Sequence, residues 1–125
     1  MSKYSHNNFF KSFKTARKGI RLALKSQKNF RIHLVIAVLV LVLALLMRFS
    51  CFEYCILIFA IGFVMVAELF NSVIEFALDA YYRNKYSTLV KMAKDMAAGG
   101  LLIATVVSVS VGILLFGNKL LHFNP

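Results

Sequence analysis

"AELFNSVIEFALD", residues 67–79, lies within a mostly apolar run from Phe52 to Leu78, yet it carries Glu68, Asn71, Glu75 and Asp79. On a helix advancing 100° per residue, these four side chains fall within about 80° of arc and form one polar seam on an apolar cylinder. Glu68 and Glu75 stand about 10 Å apart along the axis. A carboxylate in hydrocarbon costs about 2.5–3.5 kcal/mol even on lenient insertion scales. Neutralisation by a neighbouring Lys or Arg accounts for one such acid more easily than for a full stripe with an amide in it. The seam therefore reads as functional.

Two further apolar runs flank this one. "IHLVIAVLVLVLALLM", 32–47, is bracketed by Arg31 and Arg48, and the run from Met96 to Gly117 has no charge. About 20 apolar residues cross a bilayer core. The last run meets that length outright, and the first meets it when Arg31 and Arg48 snorkel to the headgroups. The expected fold is an all-α membrane protein with transmembrane helices over 30–49, 52–79 and 96–117. The 125 residues, 60% hydrophobic with a mean hydropathy of +0.74, form one integral-membrane domain over 1–125 and are unlike a soluble chain. Thirty mostly polar residues precede the first run and no small-residue cleavage site follows it, so that helix is expected to stay as an anchor.

The charge of +10 is unevenly spread. Nine Lys and Arg precede the first apolar run with no acid among them, four lie between the second and third, and only Arg48 and Lys119 remain for the other side. The positive-inside rule puts the N-terminus and the 80–95 segment in the cytoplasm and the C-terminus outside. A basic balance also suits nucleic acid, but the anionic inner leaflet accounts for it more simply, so that leaflet is the expected partner and nucleic acid is not. Over 9–28, Phe9, Phe13, Ala16, Ile20 and Leu24 recur in steps of three and four, and Lys11, Lys14, Lys18, Arg21, Lys25 and Lys28 fill much of the rest. This is a basic amphipathic helix suited to the membrane surface. Cys51 and Cys55 stand about one turn apart, a poor geometry for a disulfide, and read as plain apolar residues. Gly100, Ala104, Ser108 and Gly112 place a small residue at every fourth position of the last helix, a pattern that lets membrane helices approach closely, within the chain or between copies.

"MAKDMAAGG", 92–100, adds a second polar group. Lys94 and Asp95 sit where the last helix enters the membrane from inside, on the same side as Glu75 and Asp79. Carboxylates can hold Mg²⁺, which bridges phosphates, and a lysine can meet phosphate oxygens. A carboxylate within reach of a hydroxyl can act as a general base. A soluble phosphate donor could thus meet a lipid alcohol at the headgroup boundary. The chain has no Gly-rich Walker loop and no protein-kinase signature.

"AELFNSVIEFALD" and "AKDMAAG" resemble the two signatures of the prokaryotic integral-membrane diacylglycerol kinases, E-x-x-N-[ST]-x-x-E and A-K-D-x-[AG]-[AS], over roughly residues 10–116. "KNFRIHL", 28–34, is similar to the undecaprenol kinase branch of that family. The resemblance implies a bacterial inner-membrane homotrimer, each chain with a surface helix and three membrane helices. It implies phosphorylation of a lipid alcohol by MgATP, at active sites built between neighbouring chains. By position it makes Glu68 the catalytic base and, with Asn71, the acceptor side. It makes Glu75 the carboxylate for metal and nucleotide, with Asn71, Tyr86, Lys94 and Asp95 also on the nucleotide. Two departures cluster there. Gln27 stands where the family usually has a second metal glutamate; its amide oxygen can ligate Mg²⁺ and contact the nucleotide but brings no charge. Around Tyr86, Lys85 and Ser87 replace an acid and a histidine. The expected acceptor is undecaprenol. The alternatives are diacylglycerol, or a lipid-binding relative whose catalysis is weakened at Gln27.

The charge asymmetry predicts that a reporter enzyme which folds only outside the cytoplasm is active when fused after residue 122 and silent when fused after residue 85. The opposite pattern would invert the topology.

Overall fold

The computed structural model describes residues 8–83, 85 and 87–122. Four helices follow one another: α1 (Asn8–Ser26), α2 (Lys28–Leu46), α3 (Cys51–Tyr82) and α4 (Thr88–Leu121). The last three are long and apolar enough to cross a membrane. Large apolar side chains such as Leu39, Phe59 and Leu114 point outward, as they must when the surrounding solvent is lipid.

The first helix is amphipathic as expected and buries only Ala23. It ends two residues earlier than the periodicity suggests, because Gln27 is extended at φ −113°, ψ 107°. The elbow is pinned from the far side. Arg31 Nη1 donates to the carbonyls of Leu24 (2.8 Å) and Lys25 (2.9 Å), two of the acceptors that a helix C-terminus leaves without partners.

Along α2, Phe30, Ala37 and Ala44 are buried at a spacing of seven, a seam that faces one neighbour along its length. The α2–α3 corner is tightly specified. Arg48 takes the left-handed conformation at φ 57°. Its N–H donates to Leu45 O (3.2 Å), and the N–H of Phe49 donates to Ala44 O (3.1 Å), the pair of bonds of a Schellman motif. Phe49 then folds back on Ala44 and Leu57 to make the one buried apolar cluster of the described residues. The next helix opens on a capping box: Glu53 N–H donates to Ser50 Oγ (3.2 Å) while Ser50 N–H donates to Glu53 Oε1 (2.8 Å). "SCFE", 50–53, is the sequence signature for such a start. Lys119 Nζ reaches Glu53 Oε1 at 3.2 Å and ties the end of α4 to the same corner.

The last two helices form an antiparallel pair. Ala104 is almost completely buried, and Ser108 Oγ donates across to the carbonyl of Ala60 at 2.8 Å. Half of the small-residue stripe thus meets α3. The other half does not, since a Cβ added at Gly100 or Gly112 would have no neighbour within 4 Å. The final helix starts at Thr88, eight residues before the expected membrane entry. Polar "TLVKMAKD" continues the helix below the bilayer, where length criteria based on apolarity no longer apply.

Enlarging Ala104 to Leu forces α3 and α4 apart. It should cost about 1–3 kcal/mol and lower the thermal unfolding midpoint in micelles, whereas Val106→Leu on the exposed face of the same helix should not. Equal midpoints for the two variants would contradict the packing.

Candidate active site

The polar seam faces inward. Glu68 is 2% exposed, the most deeply enclosed charged side chain among the described residues, while Asn71, Glu75 and Asp79 are half-buried. The seam lies on the side of α3 that carries Leu57, Ala60 and Ser72, so the same helical period that buries the apolar residues also buries the carboxylate. Ser72 Oγ donates to the Glu68 carbonyl at 3.0 Å, which occupies the serine locally and leaves the glutamate side chain to find partners elsewhere.

Its neighbour is His33 of α2. Nδ1 of His33 lies 3.3 Å from Glu68 Oε2. The distance is one of contact, but neither atom has a hydrogen-bond partner, because the two groups are out of line for a direct bond. Asn71 Oδ1 is a third buried polar atom without a partner. Buried polar atoms in folded proteins are nearly always satisfied, and three orphans on adjacent walls mark a place made for a further donor. No Lys or Arg among the described residues pairs with Glu68. His33 also opens onto an apolar cavity of about 440 Å³ between α2, α3 and α4, bordered by Ile36, Val40, Val64 and Thr105.

Toward the C-terminal end of α3 lies a smaller, charged cleft of about 300 Å³. Asp79 and Tyr82 of α3, Lys85 and Ser87 of the connection, and Lys91, Lys94 and Asp95 of α4 line it. Lys94 Nζ donates to Asp79 Oδ1 at 2.6 Å, and Lys91 Nζ donates to Asp95 Oδ2 at 2.9 Å. Neutralisation by lysine, set aside for the seam as a whole, thus operates at Asp79 and not at Glu68. Each pair is about half exposed, so its Coulomb gain is modest. The cleft is thus lined by two cations, each paired with a carboxylate.

The structure therefore brings Glu68 and Asn71 together with His33, and Lys94 and Asp95 together with Asp79 and Lys91. Glu75 stands between the two groups, half-buried and with no ion pair among the described residues. Gln27 is at the α1–α2 elbow, where its side chain makes no cap hydrogen bond. Tyr86 lies outside the described residues. No three His, Cys, Asp or Glu side chains among the described residues converge as a metal cage. Glu75 and Gln27 supply one carboxylate and one amide oxygen, donor types that Mg²⁺ takes alongside waters and substrate phosphates. His33 escaped the sequence reading. The available signal was that it is the only titratable side chain in the run 32–47.

Comparison with known proteins agrees with the motifs. Residues 14–116 match the prokaryotic diacylglycerol kinase family. The chain is 38% identical over 114 residues to the undecaprenol kinase of Bacillus subtilis, covering 91% of this chain and 92% of that protein. It is 36% identical over 105 residues to the diacylglycerol kinase of Synechocystis sp., covering 84% of this chain and 60% of that protein. It is 34% identical over 92 residues to the diacylglycerol kinase of Escherichia coli, covering 74% and 75%. With a family match across most of its length and relatives above 30% identity along nearly the whole chain, the protein belongs to the prokaryotic diacylglycerol kinase family.

Proposed function

We propose that this chain is an inner-membrane lipid kinase that transfers the γ-phosphoryl group of MgATP to undecaprenol. The observation that carries the reading is Glu68, an enclosed carboxylate with no Lys or Arg partner, set deeper in the membrane than a charged cleft. Along α3, Glu75 and Asp79 lie about 10 and 16 Å from Glu68 toward the cytoplasm. That is the order in which the acceptor hydroxyl, the γ-phosphoryl group and the rest of a nucleotide are needed.

In this reading Glu68 accepts the proton of the lipid hydroxyl and, with Asn71, orients that oxygen. Lys94, Lys91 and Asp95 hold the nucleotide in the cytoplasmic cleft, and Tyr86 completes that side. Glu75 and the amide oxygen of Gln27 would hold Mg²⁺, which supplies charge neutralisation to the phosphate oxygens when bound. Phosphoryl transfer asks little covalent chemistry of the protein, so positioning and electrostatics carry the rate. The hydrocarbon around Glu68 excludes water that would otherwise compete for the phosphoryl group.

The basic α1 lies on the anionic inner leaflet, with the N-terminus cytoplasmic. A homotrimer with sites shared between neighbours is supported by the open space beside Gly100 and Gly112, where a second helix can approach. The undecaprenol kinase of Bacillus subtilis, matched over nearly its full length, favours undecaprenol as acceptor. The diacylglycerol kinases among the relatives make diacylglycerol the second reading.

Purified protein in mixed micelles with labelled ATP, Mg²⁺ and a panel of lipid alcohols separates the two. Undecaprenol should take up phosphate fastest. Glu68→Gln keeps the volume and should lower turnover by about a hundredfold or more without lowering the melting midpoint; wild-type turnover in that variant would remove Glu68 as the base.

A further inference from the structure

Glu68 must pass on any proton it takes before it can act again, and it is enclosed. Its side chain is 2% exposed, whereas that of His33 is 24% exposed. Nδ1 of the histidine is buried against the carboxylate, so the open part of the ring faces away from Glu68. A carboxylate oxygen carries no hydrogen, and Nδ1 of an imidazole protonated at Nε2 presents a lone pair. Two such acceptors 3.3 Å apart repel in an apolar surrounding unless a proton sits between them. The polar side chains of α4 that border the cavity beside His33 are Thr105 and Ser108. Both are committed, to the carbonyls of Leu101 and Ala60, and neither titrates. Asn71, on the same face of α3, cannot take up a proton. Among the described residues, His33 alone is in contact with Glu68 and able to accept its proton.

We propose that His33 is a positioning residue that receives the proton from Glu68. The inference rests on the lipid-kinase reading. The hydroxyl O–H bond breaks as its oxygen bonds to the γ-phosphorus. The bond from that phosphorus to the β–γ bridging oxygen breaks, and its electron pair leaves on the diphosphate. The hydroxyl proton goes to Glu68 and, once the ring turns to bring Nδ1 into line with Oε2, to His33, which becomes an imidazolium and gives up a proton to solvent from the exposed edge of its ring.

The test uses the full-length protein in micelles with the lipid alcohol that the wild type phosphorylates best. His33→Ala should lower kcat by about tenfold to a hundredfold and leave KM for MgATP unchanged, since His33 is on the acceptor side. The space left by the ring joins the existing cavity, so added imidazole should restore a substantial part of kcat. His33→Gln fills the site with an amide that cannot take up a proton; it should stay impaired and indifferent to imidazole. The relay is overturned by wild-type kcat in His33→Ala, by impairment that imidazole does not relieve, or by full activity in His33→Gln. A wild type that phosphorylates no lipid alcohol would instead remove the lipid-kinase reading, and the relay with it. That outcome shows in the control before any variant is made.

Discussion

The enclosure of one carboxylate in an apolar bundle is the constraint around which this molecule is arranged. Glu68 lies at the middle of a 32-residue helix, 2% exposed, with a histidine as its only charged or chargeable partner among the described residues. Such a group costs several kcal/mol in hydrocarbon, and a surface lysine cannot compensate it at that depth. The compensation has to be local. His33 stands at 3.3 Å and Asn71 one turn away on the same helix face, with its own orphaned oxygen. What remains unsatisfied is hydrogen-bonding capacity at Glu68 Oε2, His33 Nδ1 and Asn71 Oδ1.

That depth is fixed by corners at both ends of α2. Arg31 caps two carbonyls in the last turn of α1, those of Leu24 and Lys25, beside the elbow at Gln27. The Schellman turn at Arg48 and the capping box at Ser50 and Glu53 set where α3 begins. Between these points α2 presents His33 to Glu68. The α4 helix is held to α3 by Ala104 and by the Ser108–Ala60 bond, which places Lys94 opposite Asp79. Local turn chemistry at the membrane surfaces therefore decides which polar groups meet inside.

Much of this was legible in the sequence. The three spans follow from apolar length. The inward seam follows from the spacing of Glu68, Asn71, Glu75 and Asp79. The meeting of Lys94 with the acids of α3 follows from the topology that the charges impose. His33 was not legible as a partner of Glu68. A lone histidine in "RIHLVI" carries no periodic signal, and only the mutual rotation of α2 and α3 decides whether it faces lipid or acid. The early start of α4 was hidden because hydropathy measures the bilayer, not the helix. The small-residue stripe foretold close contact at Ala104 and Ser108 but not the open surroundings of Gly100 and Gly112, because spacing alone does not say which neighbour, if any, is there.

The contact between His33 and Glu68 can be observed without catalysis. Protein carrying ¹⁵N-labelled histidine and ¹³C-carboxyl-labelled glutamate, in lipid bilayers, allows nitrogen–carbon dipolar dephasing to be measured by solid-state magnetic resonance. The account predicts that one histidine dephases strongly against one glutamate carboxyl, as direct contact between Nδ1 and Oε2 at 3.3 Å requires, and that Glu68→Gln removes the signal. No histidine–glutamate dephasing, or dephasing that survives in Glu68→Gln, would contradict it.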